Sequence, residues 1–209
     1  IGRDLADVLR LGGSDYYIDR SGALKLIWQV LTSRLFASNR GVAPSIQDLV
    51  ALDKEVGPEI GELLSSIKSE WVSGRRNQLP AGVTAAFVFL FRRCGSKAKG
   101  TEFMSACNEW GKLEKNHPIA VLQQRLVDDG RKRNHISRLE KLSMVIRSWN
   151  RFRTGQSAKR VARFRTGNDV AKYPDIDGLD LNKLAAEFPS ILRKRGGRND
   201  LEQIVSTLT

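Results

Sequence analysis

Twelve side chains between positions 131 and 165 carry positive charge: Arg131, Lys132, Arg133, Arg138, Lys141, Arg147, Arg151, Arg153, Lys159, Arg160, Arg163 and Arg165. Glu140 is the only acid among them, so the stretch is +11. The whole chain has 35 Lys+Arg against 23 Asp+Glu, a net +12, which leaves +1 for everything outside it. Solubility alone does not require such a concentration. A localised positive field suits a polyanion, and a phosphate backbone is the commonest one in a cytosol. Most of the twelve are Arg, whose planar fork matches phosphate geometry. Arg147 and Arg151 are four residues apart, a helical spacing that suits adjacent phosphates. The expected partner is double-stranded DNA, held through its backbone. An acidic protein surface, or a merely solvated basic face, is the alternative.

Other chemistry finds little support. Cys94, Cys107, His117 and His135 are metal-ligating types, but their spacing matches no short zinc pattern. Asp175-x-Asp177-Gly178-x-Asp180 resembles a calcium loop, yet Gly178 stands fourth rather than sixth and Ala186 occupies the twelfth position. Asp128-Asp129 lies beside Arg131, Lys132 and Arg133, which are expected to neutralise the pair. There is no G-x-S-x-G elbow, no Walker A loop and no G-x-G-x-x-G fingerprint. The sequence therefore assigns no catalytic residue, no metal and no cofactor. No helix-turn-helix is recognisable, so sequence-specific readout is not expected. Aromatic residues make up 7% of the chain, too few to favour a stacking platform for single strands.

The elements that must position the basic segment read as helices. Asp19 or Ser21 can cap a helix that carries Leu24, Ile27, Trp28 and Leu31 on one face. Pro44-Ser45 opens a second, with Asp48 completing a capping box, and Gly57-Pro58 reads as the start of a third. Ala81 to Phe91 is apolar almost all round and is expected to be the central buried helix. Gly95 to Gly100 reads as a loop, and Thr101 to Trp110 and Pro118 to Val127 as helices. Ser137-x-x-Glu140 is a capping box for a helix through Leu142, Val145, Ile146, Trp149 and Phe152. From Ala158 to Phe164 basic and apolar residues alternate, which suits a strand or an extended arm, and such an arm can enter a minor groove. Weaker helices are expected over Arg3 to Leu11, Leu181 to Phe188 and Leu201 to Leu208.

The 209 residues, 41% of them hydrophobic and 28% charged, thus read as mainly α. The expectation is one helical domain of about seven to nine helices over 1–156. A short extended basic segment and loop follow over 157–180, then a helical tail over 181–209. Two cysteines are too few for a disulfide framework and suit a reducing, cytoplasmic setting. No signal peptide is recognisable. The most apolar run is about half the ~20 residues needed to span a bilayer, so no membrane partner is expected. The opening on Ile1 reads as a fragment or processed product.

The run Val145-Ile146-Arg147-Ser148-Trp149-Asn150-Arg151-Phe152-Arg153-Thr154-Gly155, then Arg163-Phe164, then Tyr173-Pro174-Asp175-Ile176, resembles the helical C-terminal region of a phage and actinobacterial family. Members of that family carry an N-terminal ParB-like domain of the ParB/sulfiredoxin fold. The opening from Ile1 to Leu9 resembles the junction between the two parts, and the resemblance spans about residues 1–180. Tyr173 stands where the family's pattern has Phe. The family's nucleotide or nuclease-type motif, of the D-G-Q-H-R kind, is missing here, so no catalytic residue carries over. The resemblance implies a helical, DNA-binding part of a larger ParB-like protein. The competing reading is a structural domain, whose helices form a homodimer or cradle an acidic partner or a further N-terminal domain.

Overall fold

The computed structural model describes residues 14–35, 43–73, 79–94, 97–132, 136–160, 176–180, 183 and 186–188. All regular structure among them is helical, in six α-helices and one 3-10 turn. These are α1 (Ser14–Leu35), α2 (Ile46–Ser73), α3 (Ala81–Phe91), α4 (Lys97–Asn108), the 3-10 turn Trp110–Lys112, α5 (Pro118–Arg131) and α6 (Arg138–Arg153). The helices expected over 3–11 and 201–208 lie outside the described residues. So does the alternating stretch beyond Arg160.

The all-apolar run behaves as its composition demands. Every residue of α3 is buried, and α1, α2, α4 and α6 pack around it. Pro80 precedes the helix with extended backbone, its missing N–H costing nothing where no carbonyl awaits it. Phe87 and Phe91 of α3 meet Trp149 of α6 at ring distances of 5.8 and 5.6 Å, and Phe103 of α4 closes on Trp149 at 5.5 Å. Three helices are thus locked at one aromatic junction.

Asp19 and Ser21 do not cap the first helix, because α1 already begins at Ser14 and contains both. Two further expected boundaries fall elsewhere. Gly57-Pro58 does not start a helix, because α2 runs through it. Proline deprives the carbonyl four residues back, that of Lys54, of its donor. Lys54 and Pro58 are both exposed, so water can take that carbonyl, while Val56, Gly57 and Ile60 face the core. Gly57 is buried for a second reason. Arg20 of α1 donates through Nε and Nη2 to Asp53 of α2 at 2.8 and 3.0 Å, and a Cβ on Gly57 would meet both side chains within 3 Å. The second boundary is at Gly95 to Gly100. Helix α4 already begins at Lys97 and includes Gly100, where a Cβ would stand 1.9 Å from the Phe91 ring. The glycine is a point of helix contact rather than a loop residue.

Helices α5 and α6 form an antiparallel hairpin. The C-terminus of α5 at Arg131 and the N-terminus of α6 at Arg138 lie at one end. At the other the His117 and Phe152 rings are 5.9 Å apart, and the Ala158 N–H donates to the Asn116 carbonyl at 2.7 Å. The capping box is formed: the Glu140 N–H donates to Ser137 Oγ at 3.2 Å and the Ser137 N–H to Glu140 Oε2 at 2.8 Å.

The C-terminal residues that are described join the same core. Ile176 and Phe188 are 6% and 3% exposed, although the sequence separates both from the helical part. Phe188 packs on Phe89, and Arg93 lies over Phe89 while bonding Glu59 and Glu187. No helix among the described residues is long and apolar enough to cross a membrane.

Candidate nucleic-acid interface

Nine of the twelve basic residues are described; Arg133, Arg163 and Arg165 lie outside. The hairpin divides the nine between its two ends. Arg131 and Lys132 are exposed at the C-terminus of α5, with Arg138 and Lys141 half-buried on the first turn of α6. At the far end, Arg151 is exposed on the last turn of α6, and Lys159 and Arg160 are exposed just beyond it. An α6 of 16 residues separates these poles by about 22 Å. Arg147 lies between them. The continuous track suggested by the sequence is therefore two basic poles with one bridging cation.

The face that joins them is narrow. Trp149 and six residues from Leu142 through Ser148 are buried, because α6 packs on α1, α3, α4 and α5. Arg147 is consequently half-buried, and its Nε is enclosed with no hydrogen-bond partner among the described residues. Arg153 is withdrawn from the track. It bonds the Asp177 carbonyl, and its guanidinium lies 5.8 Å from the Trp149 ring. Asn150 Oδ1 accepts from the Asp177 N–H at 3.1 Å, so the end of α6 pins this turn of chain. Arg138 lies against α1, its Nη1 2.3 Å from where a Cβ on Gly22 would stand.

The partners of these cations decide what they can do. Ion pairs in the described structure include Arg20 to Asp53, Arg93 to Glu59 and Glu187, Lys99 to Glu102, Lys112 to Glu109 and Arg125 to Asp129, all outside the 131–165 stretch. The side chains of Arg131, Lys132, Lys141, Arg147, Arg151, Lys159 and Arg160 make no ion pair or hydrogen bond among the described residues. Of the cations expected to neutralise Asp128 and Asp129, Arg131 and Lys132 do not pair with them, and Arg133 lies outside the described residues. Because α5 continues to Arg131, the two acids look back one turn. Asp129 is buried and takes Arg125 Nε at 2.7 Å, and Asp128 takes Gln124 Nε2 at 2.8 Å. The last-turn cations are left facing solvent. Helix macrodipoles favour positive charge at C-termini, which accounts for some of it at Arg131 and Arg151. The same effect disfavours Arg138 on the first turn of α6, and Lys159 and Arg160 lie on no helix.

The nucleophilic and ligating types are elsewhere and are occupied. Cys94 and Cys107 are buried free thiols, and burial pushes them up to about 11 and about 12. His117 caps α5, its Nδ1 accepting from the Ile119 N–H at 3.3 Å. Burial holds its imidazole below the ordinary value, with Glu114 opposing. His135 is outside the described residues. Gly178 has φ +80 and belongs to the turn that Arg153 binds.

Sequence reasoning did not associate Trp110 and Lys115 with this region. Both stand beside Lys159 and Arg160, across a cleft bounded by α5. Forty or more residues of chain separate the two sides, which the hairpin packing and the Ala158–Asn116 contact bring together. No family model, curated protein or solved structure matches the chain.

Proposed function

We propose that this chain is a nucleic-acid-binding helical domain that holds double-stranded DNA through its phosphate backbone, and that it is the helical part of a larger ParB-like protein acting in the cytoplasm. The observation that carries this reading is the set of seven cations from Arg131 to Arg160 whose side chains have no ion-pair or hydrogen-bond partner among the described residues. Binding a phosphate breaks no ion pair at these cations, and each phosphate they meet releases condensed counterions. Their arrangement in two poles suits a rigid, regularly charged rod better than one compact anion. A helix hairpin packed on the core carries or flanks these residues, and fixed spacing of this kind would set a register on a phosphate backbone without base contacts.

The test is anisotropy of a labelled duplex titrated with this chain between about 50 and 200 mM salt. Six or more phosphate contacts predict a loss on the order of a thousandfold over that range. Absence of binding at the low end would remove DNA as the partner and leave the basic poles to an acidic protein. A stable dimer by light scattering, without DNA affinity, would favour the assembly reading.

A further inference from the structure

A cleft of about 520 Å³ opens at the second basic pole, between the outer face of α5, the Trp110–Lys112 turn and the segment Lys159–Arg160. That volume is in the range of small-ligand sites. Its lining combines three kinds of group. Trp110 and Val121 supply apolar surface, and Trp110 is half-buried and packs against the core, so its ring is held. Lys115, Lys159 and Arg160 supply exposed positive charge. Gln124 and Asp128 supply acceptors: the Gln124 amide is spent on Asp128 at 2.8 Å, which leaves the Gln124 carbonyl and the second Asp128 oxygen for outside donors.

A planar base, a phosphate and an N–H-bearing edge are the three features of a nucleotide. We propose that this cleft is a nucleoside-phosphate site, with the base against Trp110, its N–H edge toward Gln124 and Asp128, and the phosphate on Lys159, Arg160 and Lys115. The proposal deepens the nucleic-acid reading, on which the strand form of the ligand rests. The nucleotide is either the overhanging end of a strand or a free mononucleotide. One aromatic ring serves one base, so the low aromatic content that argues against a strand-length stacking platform is no obstacle. The site also gives Lys159 and Arg160 a double role, since they belong both to the basic pole and to the cleft. Trp110 and Lys115 line the cleft from outside the basic stretch.

The experiment compares a blunt duplex with the same duplex bearing a single-nucleotide 5′ overhang, alongside calorimetric titration with deoxyguanosine monophosphate and with inorganic phosphate. The overhang duplex is expected to bind about tenfold tighter than the blunt one, as stacking of one base predicts. Trp110→Ala should erase that difference and leave blunt-duplex affinity in place. Lys115→Glu changes an exposed side chain, and it should also shrink the difference. Equal binding of the two duplexes, with no uptake of the mononucleotide beyond that of phosphate, overturns the site while leaving backbone binding standing. Failure of both duplexes together with uptake of the mononucleotide, lost in Trp110→Ala, identifies the ligand as a free nucleotide and overturns the DNA reading instead. If nothing binds, both fall.

Discussion

Arg147 is the residue where stability and binding pull apart. Its Nε is enclosed without a partner among the described residues, and an unsatisfied buried polar group costs about 1–3 kcal/mol. Methionine would keep the aliphatic stem that packs beneath the charge. Arg147→Met is therefore expected to hold or raise the thermal midpoint while lowering duplex affinity, with the salt slope reduced by about 0.9. A lowered midpoint with unchanged affinity would make the arginine structural. His117 is the residue where pH acts. Its cap needs the neutral ring, and its folded-state value lies below the ordinary 6.5 through burial, against the pull of Glu114. The unfolded chain then binds the proton more readily than the folded one. Stability is fully present above about 6.5 and is lost progressively as pH falls toward the folded value. Urea midpoints should drop more between neutral and mildly acidic pH in the wild type than in His117→Asn, since Asn also caps helices. Parallel profiles for the two proteins would remove His117 from the acid response.

At the scale of elements, α6 carries both the core junction and the bridge between the poles. Trp149 meets rings from α3 and α4, so Trp149→Ala should cost about 3–5 kcal/mol and loosen the whole bundle. Ser137→Ala removes one half of the capping box and should cost about 1 kcal/mol, with the fold intact. Denaturant unfolding of the pair checks the ranking; a Ser137 change larger than the Trp149 change would mean that the hairpin turn, not the aromatic junction, holds α6. Much of this level was readable beforehand. The apolar run 81–91, the capping box at Ser137 and Glu140, and the stripe through Trp149 all appear where periodicity puts them. Gly57-Pro58 and Gly100 were misread because both are local breakers accepted for long-range reasons. Pro58 faces water while its neighbours face the core, and Gly100 makes room for a ring from another helix.

At the scale of the molecule, charge is segregated rather than spread. Neutralising Arg131 and Lys132, or Lys159 and Arg160, removes two cations from one pole or the other. Each double variant is expected to lower the salt slope of duplex binding by about 1.8, and the two effects should add, because the poles lie about 22 Å apart. Slopes that respond to one pair only would confine the interface to that pole. The described residues of the C-terminal tail belong to this level too. Arg93 holds Glu187 and lies between Phe89 and Phe188, so residues that sequence assigns to a separate tail contribute to the common core.

The sequence by itself determined the helical class, the identity of the central helix and the amount of charge in 131–165, because composition and period depend only on neighbours along the chain. It could not determine which of those cations remain available. That followed from α5 extending far enough for Asp128 and Asp129 to look back to Gln124 and Arg125, and from Arg153 turning to Asp177. Nor could it join Trp110 and Lys115 to Lys159 and Arg160. A cleft depends on which distant segments the hairpin brings together, and that is decided by packing of α6 into the core rather than by any local preference.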